Sequence, residues 1–114
     1  MGPAGYAISG VYDLTVLLKV SQNQDLRLSA DDARAVSPAF WPAPAGRILD
    51  AVVGALESDE FRRQSKTIVD AWQGAAHMRY EEIAGTNHFT VCDSLADPRS
   101  AMVTRAAELA RGVK

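Results

Sequence analysis

The period of the apolar positions in this chain changes most plainly near its middle. Ile48-Leu49-Asp50-Ala51-Val52-Val53 is almost continuously apolar, the pattern of a strand covered on both faces of a parallel sheet. The run stops at Gly54, passes the acidic elbow Glu57-Ser58-Asp59-Glu60, and resumes with Phe61, Ile68 and Trp72. That i, i+7, i+11 spacing puts one apolar stripe on a helix facing the sheet. Ser58 suits the N-cap, Asp59 and Glu60 suit the positive end of the helix dipole, and Gly74 closes the helix. Gly5 to Ser9 reads as a short buried strand ended by Gly10. Met78 to Ile83 alternates, as a less covered strand near a sheet edge does.

The connecting segments carry their own signals. Val11-Tyr12-Asp13-Leu14 leaves the sheet, Val16-Leu17-Leu18 is a short apolar turn or helical piece, and Ser21 to Arg27 is polar loop. Ser29 with Asp32 three residues on forms a capping box for a short helix, which Pro38 ends by disfavouring the helical conformation at Ser37. Phe40 to Gly46, with prolines at 42 and 44, is a stiff connector rather than a domain boundary. Phe89 to Leu95 is a short helix or turn, broken at Asp97-Pro98. Ser100 then caps a last helix with Val103, Ala106, Ala107 and Ala110 on one face and Gly112 in the C′ position. Met1-Gly2-Pro3 is either a natural start or an expression remnant. The order β-(short α)-β-α-β-α predicts an α/β arrangement around a small parallel sheet, as a single domain over residues 1–114.

Composition narrows the function classes. The chain has 114 residues, enough for one small domain and too few for two. Apolar content of 47% with 23% charged residues is that of a folded globular protein. A net charge of −2 without a basic stripe argues against nucleic acid as a partner. The single cysteine, Cys92, excludes an intrachain disulfide and fits a reducing compartment. No apolar run is long enough to span a bilayer and no signal peptide is legible, so the expectation is a cytoplasmic protein without membrane contact.

Loops at the carboxyl ends of strands are where open α/β sheets hold their chemistry. Glu57 follows one strand and His88, in Gly85-Thr86-Asn87-His88-Phe89, follows the next. An acid and a histidine so placed are two members of a nucleophile–base–acid triad. Each also has a plainer reading, His88 as a structural histidine capping a turn and Glu57 as a solvated loop carboxylate. Cys92 lies four residues past His88 on the same short element, poor geometry for attack, and reads as a small buried hydrophobe. His77 lacks partners at metal-ligand spacing and reads as a surface residue. Tyr12 and Asp13 read as a strand-end turn, and Arg62, Arg63 and Lys66 form a solvated basic face.

Ile8-Ser9-Gly10-Val11-Tyr12-Asp13-Leu14, then Glu57 through Ser65, then Asn87-His88-Phe89 resemble the C-terminal half of the kynurenine formamidase (arylformamidase) group of α/β-hydrolase esterases. The resemblance covers nearly the whole chain. It implies that the strands match the last three of the usual eight-stranded sheet. It places the triad acid on Glu57, with Asp59 as the alternative acid, and the triad histidine on His88, and it implies a second reading of Tyr12 and Asp13, at the pocket entrance. The family's serine stands in Gly-x-Ser-x-Gly on a tight strand-to-helix turn, with a glycine-rich oxyanion loop upstream. Neither motif occurs in this chain, and Ser9 lacks the glycine two residues before it, so the nucleophile is expected elsewhere.

Three expectations follow. The chain supplies acid and base to a serine on an N-terminal-half polypeptide, acting on a small ester or aryl formamide. Alternatively it is a non-catalytic module that associates through an open sheet edge, or a truncated piece without an independent role. No cofactor and no metal are implied.

Overall fold

β2 (Ile48–Gly54) runs down the centre of a three-stranded parallel sheet, flanked by β1 (Ala4–Ile8) and β3 (His77–Ile83). The computed structural model describes residues 4–19 and 29–114. The polar loop expected over Ser21 to Arg27 and the Met1-Gly2-Pro3 start lie outside the described residues. The register is unbroken: Ala4, Ile48 and His77 face one another at one end, and Ile8 meets Val52 near the other. The sheet is therefore the small parallel one that the apolar run at 48–53 predicts.

Three helices follow in chain order, α1 (Ala30–Ala35), α2 (Asp59–Trp72) and α3 (Ala101–Ala110); α2 packs on β2 and β3 and α3 on β1, while α1 packs against the Leu14–Lys19 segment. Each starts at the expected serine. Ser29, Ser58 and Ser100 accept backbone N–H groups of Asp32, Phe61 and Val103, satisfying donors that a helix start leaves free. Short 3-10 segments cover Leu14–Lys19, Pro38–Phe40 and Asp93–Ala96. The connector after α1 is tied back to the chain leaving β1, because Ala39 N–H donates to the Tyr12 carbonyl at 2.9 Å.

The core lies between the sheet and α2. Ala51 and Ile68 are fully buried with Tyr12, and Ala7, Leu49, Val69, Trp72 and Met78 pack around them. The stripe read as Phe61, Ile68 and Trp72 is thus present at Ile68 and Trp72. Tyr12 is core, so of its two readings the strand-end turn holds: Gln64, buried on α2, accepts the backbone N–H of both Tyr12 and Asp13 at 2.9 Å.

On the last helix the face is corrected. Ala107 and Ala110 are exposed, while Met102, Arg105 and Leu109 are buried. The reason is an ion pair inside the structure. Arg105 donates from Nε and Nη2 to both carboxylate oxygens of Asp50, at 2.6 and 2.9 Å. A charged position does not register as a core position in a hydrophobic pattern, so the small alanines drew the stripe to the wrong side. Asp50 interrupts the apolar run of β2 for the same reason: it faces α3 and holds the arginine.

Candidate functional site

The three strands end side by side, and each hands its loop one polar residue. Ser9 follows β1, Glu57 follows β2 and His88 follows β3. Glu57 sits in a tight turn. Its own N–H donates to the Gly54 carbonyl at 3.0 Å, while Ala55 and Leu56 donate to Ile83 and Thr86 of the neighbouring strand and loop at 3.0 and 2.9 Å. Arg62, one turn into α2, donates to the carbonyls of Ala55 and Glu57 at 3.0 and 2.7 Å. Arg62 therefore belongs to the loop's scaffold and not to the solvated face expected for it; it also pairs with Asp59. At Gly54 the two loops touch. A Cβ there would come within 2.5 Å of the Thr86 carbonyl oxygen, closer than any side chain allows.

His88 is presented by a turn that closes on itself. Asn87 Oδ1 accepts from the N–H groups of Phe89 and Thr90 at 2.9 and 3.1 Å, and Thr90 Oγ1 accepts the N–H of Asn87 at 2.9 Å. Such side-chain-to-backbone bonds replace a regular helix start. The imidazole lies 51% exposed, stacked on the Phe61 ring at 4.6 Å between centroids.

The acid and the histidine meet. Glu57 Oε1 lies 2.9 Å from His88 Nδ1. Its second oxygen, Oε2, accepts from Ser9 Oγ and from the Gly54 N–H, both at 2.6 Å. The Glu57 side chain has no exposed surface. Burial pushes its carboxyl upward, but the hydrogen bonds from Ser9, Gly54 and His88 outweigh it and hold the group below the usual glutamate value. Glu57 is thus a buried, fully satisfied carboxylate and not a solvated one. Asp59 lies apart, 97% exposed on its side chain and paired with Arg62.

An ionised carboxylate on Nδ1 makes that nitrogen the donor and leaves Nε2, across the ring, as a free base. His88 borders an open cleft of about 360 Å³ lined by Leu56, Glu57, Ser58, Phe61, Asn87 and Phe89. Phe89 is 89% exposed. The surroundings are apolar, and the arrangement can accept and return a proton beside an apolar substrate. A larger hollow of about 530 Å³ lies at the opposite end of the strands, where Asp50 and Arg105 satisfy each other. Among the described residues no cluster of three metal-ligating side chains occurs. His77 and Cys92 are both exposed, His77 in β3 and Cys92 beyond the His88 turn, so Cys92 is not the buried hydrophobe expected.

Sequence reasoning missed Ser9, Phe61 as the floor under His88, and the Asp50–Arg105 pair. Ser9 lies in the Ile8–Leu14 stretch, where the sequence speaks only against its being a nucleophile elbow. The helical spacing of Phe61 marks a core stripe and carries no signal of a ring under an imidazole.

No family model matches the chain. It is 28% identical over 98 residues to a protein named kynurenine formamidase from Danio rerio, covering 81% of this chain and 33% of that one. A kynurenine formamidase of Salmo salar is 28% identical over 100 residues, with coverages of 81% and 34%. A crystal structure from a Silicibacter species, of a protein assigned as a thioesterase, superposes with a TM-score of 0.72 at 32% identity. It covers 89% of this chain and 37% of that one. The chain is thus similar to kynurenine formamidases and spans about a third of the length of the curated relatives it matches. Its three-stranded parallel sheet with flanking helices is a portion of an α/β-hydrolase fold.

Proposed function

We propose that this chain carries the acid and the base of a serine-hydrolase-type site whose nucleophile lies on polypeptide outside these 114 residues. The observation that supports it is the buried Glu57 carboxylate on His88 Nδ1, with Nε2 left at an apolar cleft. His88 takes the proton of an attacking hydroxyl and returns it to the leaving group, while Glu57 fixes the tautomer and stabilises the imidazolium. The nucleophile oxygen bonds to the acyl carbon, the bond to the leaving amine, alkoxide or thiolate breaks, and water releases the acid. Aryl formamides and small esters or thioesters are the substrate class, drawn from the relatives' names and the apolar lining. The completing polypeptide pairs along the outer edge of β1, which has no neighbour among the described residues.

A chimera tests this reading. This chain replaces the stretch it matches in the Danio rerio kynurenine formamidase, and N-formylkynurenine hydrolysis is followed. The expected outcome is turnover that falls by about 10³-fold or more with His88→Ala. A folded chimera that is inactive, or that ignores His88→Ala, sinks the proposal. The chain alone should hydrolyse neither N-formylkynurenine nor an activated ester above its His88→Ala variant.

The open β1 edge, with exposed Leu56 and Phe89 beside the cleft, also favours a second reading, a non-catalytic module that associates with other chains. In that case the chimera stays silent while the chain still self-associates.

A further inference from the structure

We infer that Ser9 is the positioning residue of the Glu57–His88 pair: its hydroxyl, aimed by a left-handed backbone at the end of β1, pins one carboxylate oxygen so that the other receives the imidazole. The inference rests on reading Glu57 and His88 as an acid–base pair.

Among the described residues Ser9 is the one non-glycine residue with a left-handed backbone, at φ 52°. An L side chain disfavours that conformation, and residues held in it gather at functional sites. Ser9 is kept there from two sides. Its N–H donates to the Val52 carbonyl at 2.8 Å, extending the β1–β2 pairing one step past the strand. Its Oγ donates to Glu57 Oε2 at 2.6 Å. The left-handed turn is what sends the hydroxyl across the end of the sheet.

Division of labour at the carboxylate explains why this bond matters. Oε2 has two donors, Ser9 and Gly54, and Oε1 has His88 alone. Gly54 is the last residue of β2 and lies three residues before Glu57, so its N–H holds Oε2 from the strand that carries the carboxylate itself. Ser9 comes from another strand, 48 residues away in sequence. It therefore ties the carboxylate to a second strand of the sheet, and the sheet carries His88 through β3. Without it Oε2 keeps only the Gly54 N–H, and the orientation of the carboxylate toward the imidazole is held from one strand instead of two.

The test reads the imidazole itself and needs no substrate. Long-range ¹⁵N–¹H correlation spectra of the His88 ring are recorded over a pH series, and tautomers are compared on the alkaline plateau where the ring shifts no longer change. Wild type, Ser9→Ala and Ser9→Gly are compared. Ser9→Ala removes the donor and keeps the backbone strain. Ser9→Gly removes the donor and relieves the strain, so it folds even if the alanine variant does not. In the wild type the Nδ1–H tautomer should dominate. Both variants should lose that dominance toward the Nε2–H form, although Ser9→Gly unfolds at the same urea concentration as wild type or higher. Ring nitrogen shifts unchanged in both variants would overturn the inference, leaving Ser9 a merely structural serine. The chimera reports separately: a lost tautomer bias with an inactive chimera leaves the positioning role standing and removes the hydrolase reading.

Discussion

A carboxylate without exposed surface must be met atom by atom, and Glu57 is. Three donors from three parts of the chain converge on its two oxygens. Each favours the charged form, and together they outweigh the desolvation of burial. The consequence for stability has a definite sign. A carboxyl whose native value lies below its unfolded value of 4.5 stabilises the fold above that value. The stabilisation is lost as pH falls through the lower native value. Glu57→Gln, which keeps the shape and removes the charge, should therefore lower stability at pH 7 by about 1–3 kcal/mol. The gap to wild type should close in acid, below the unfolded carboxyl value. Urea unfolding at pH 7 and pH 3 measures it, and a gap that ignores pH would count against an ionised Glu57.

At the scale of elements, the pairing of β2 with α3 rests on charge buried where a hydrophobic contact would be expected. Asp50 is fully buried and Arg105 nearly so. The carboxylate beside Arg105 holds its guanidinium firmly protonated. A buried pair of this kind stabilises little against an apolar replacement, but losing one partner strands the other charge. Asp50→Leu or Arg105→Met alone should cost about 3–5 kcal/mol. The double variant should recover most of that loss. Chemical denaturation of the four proteins forms the cycle, and additive single losses would show that the two side chains do not depend on each other.

For the whole molecule the decisive feature is a sheet with unmatched edges. β2 and β3 pair along their full length, β1 pairs with β2, and the outer sides of both β1 and β3 meet no strand among the described residues. Unpaired N–H and C=O groups in an edge strand recruit other chains. Sedimentation velocity over a hundredfold concentration range should show reversible association of the isolated chain. A clean monomer at the highest concentration would be evidence against the edge as a docking line. Beyond this, no helix among the described residues is long and apolar enough to cross a membrane.

The elements were legible because their signals are local. An apolar run needs only its own residues to mark β2. A serine three residues before an N–H marks a helix start, and all three caps lie where the serines put them. The acid and histidine were legible as loop residues after strands, and as positions in a resemblance. Their meeting was not, because Glu57 and His88 are 31 residues apart and only the parallel register brings both loops to one end of the sheet. The bond from Ser9, the Phe61 ring under the imidazole and the Arg105 face of α3 are likewise decided in space. Each is a polar or aromatic group whose partner lies on another element, and periodicity along one segment cannot report a contact between two. Strands, caps and candidate residues follow from the order of amino acids; which oxygen of Glu57 faces which donor follows from three strands ending together.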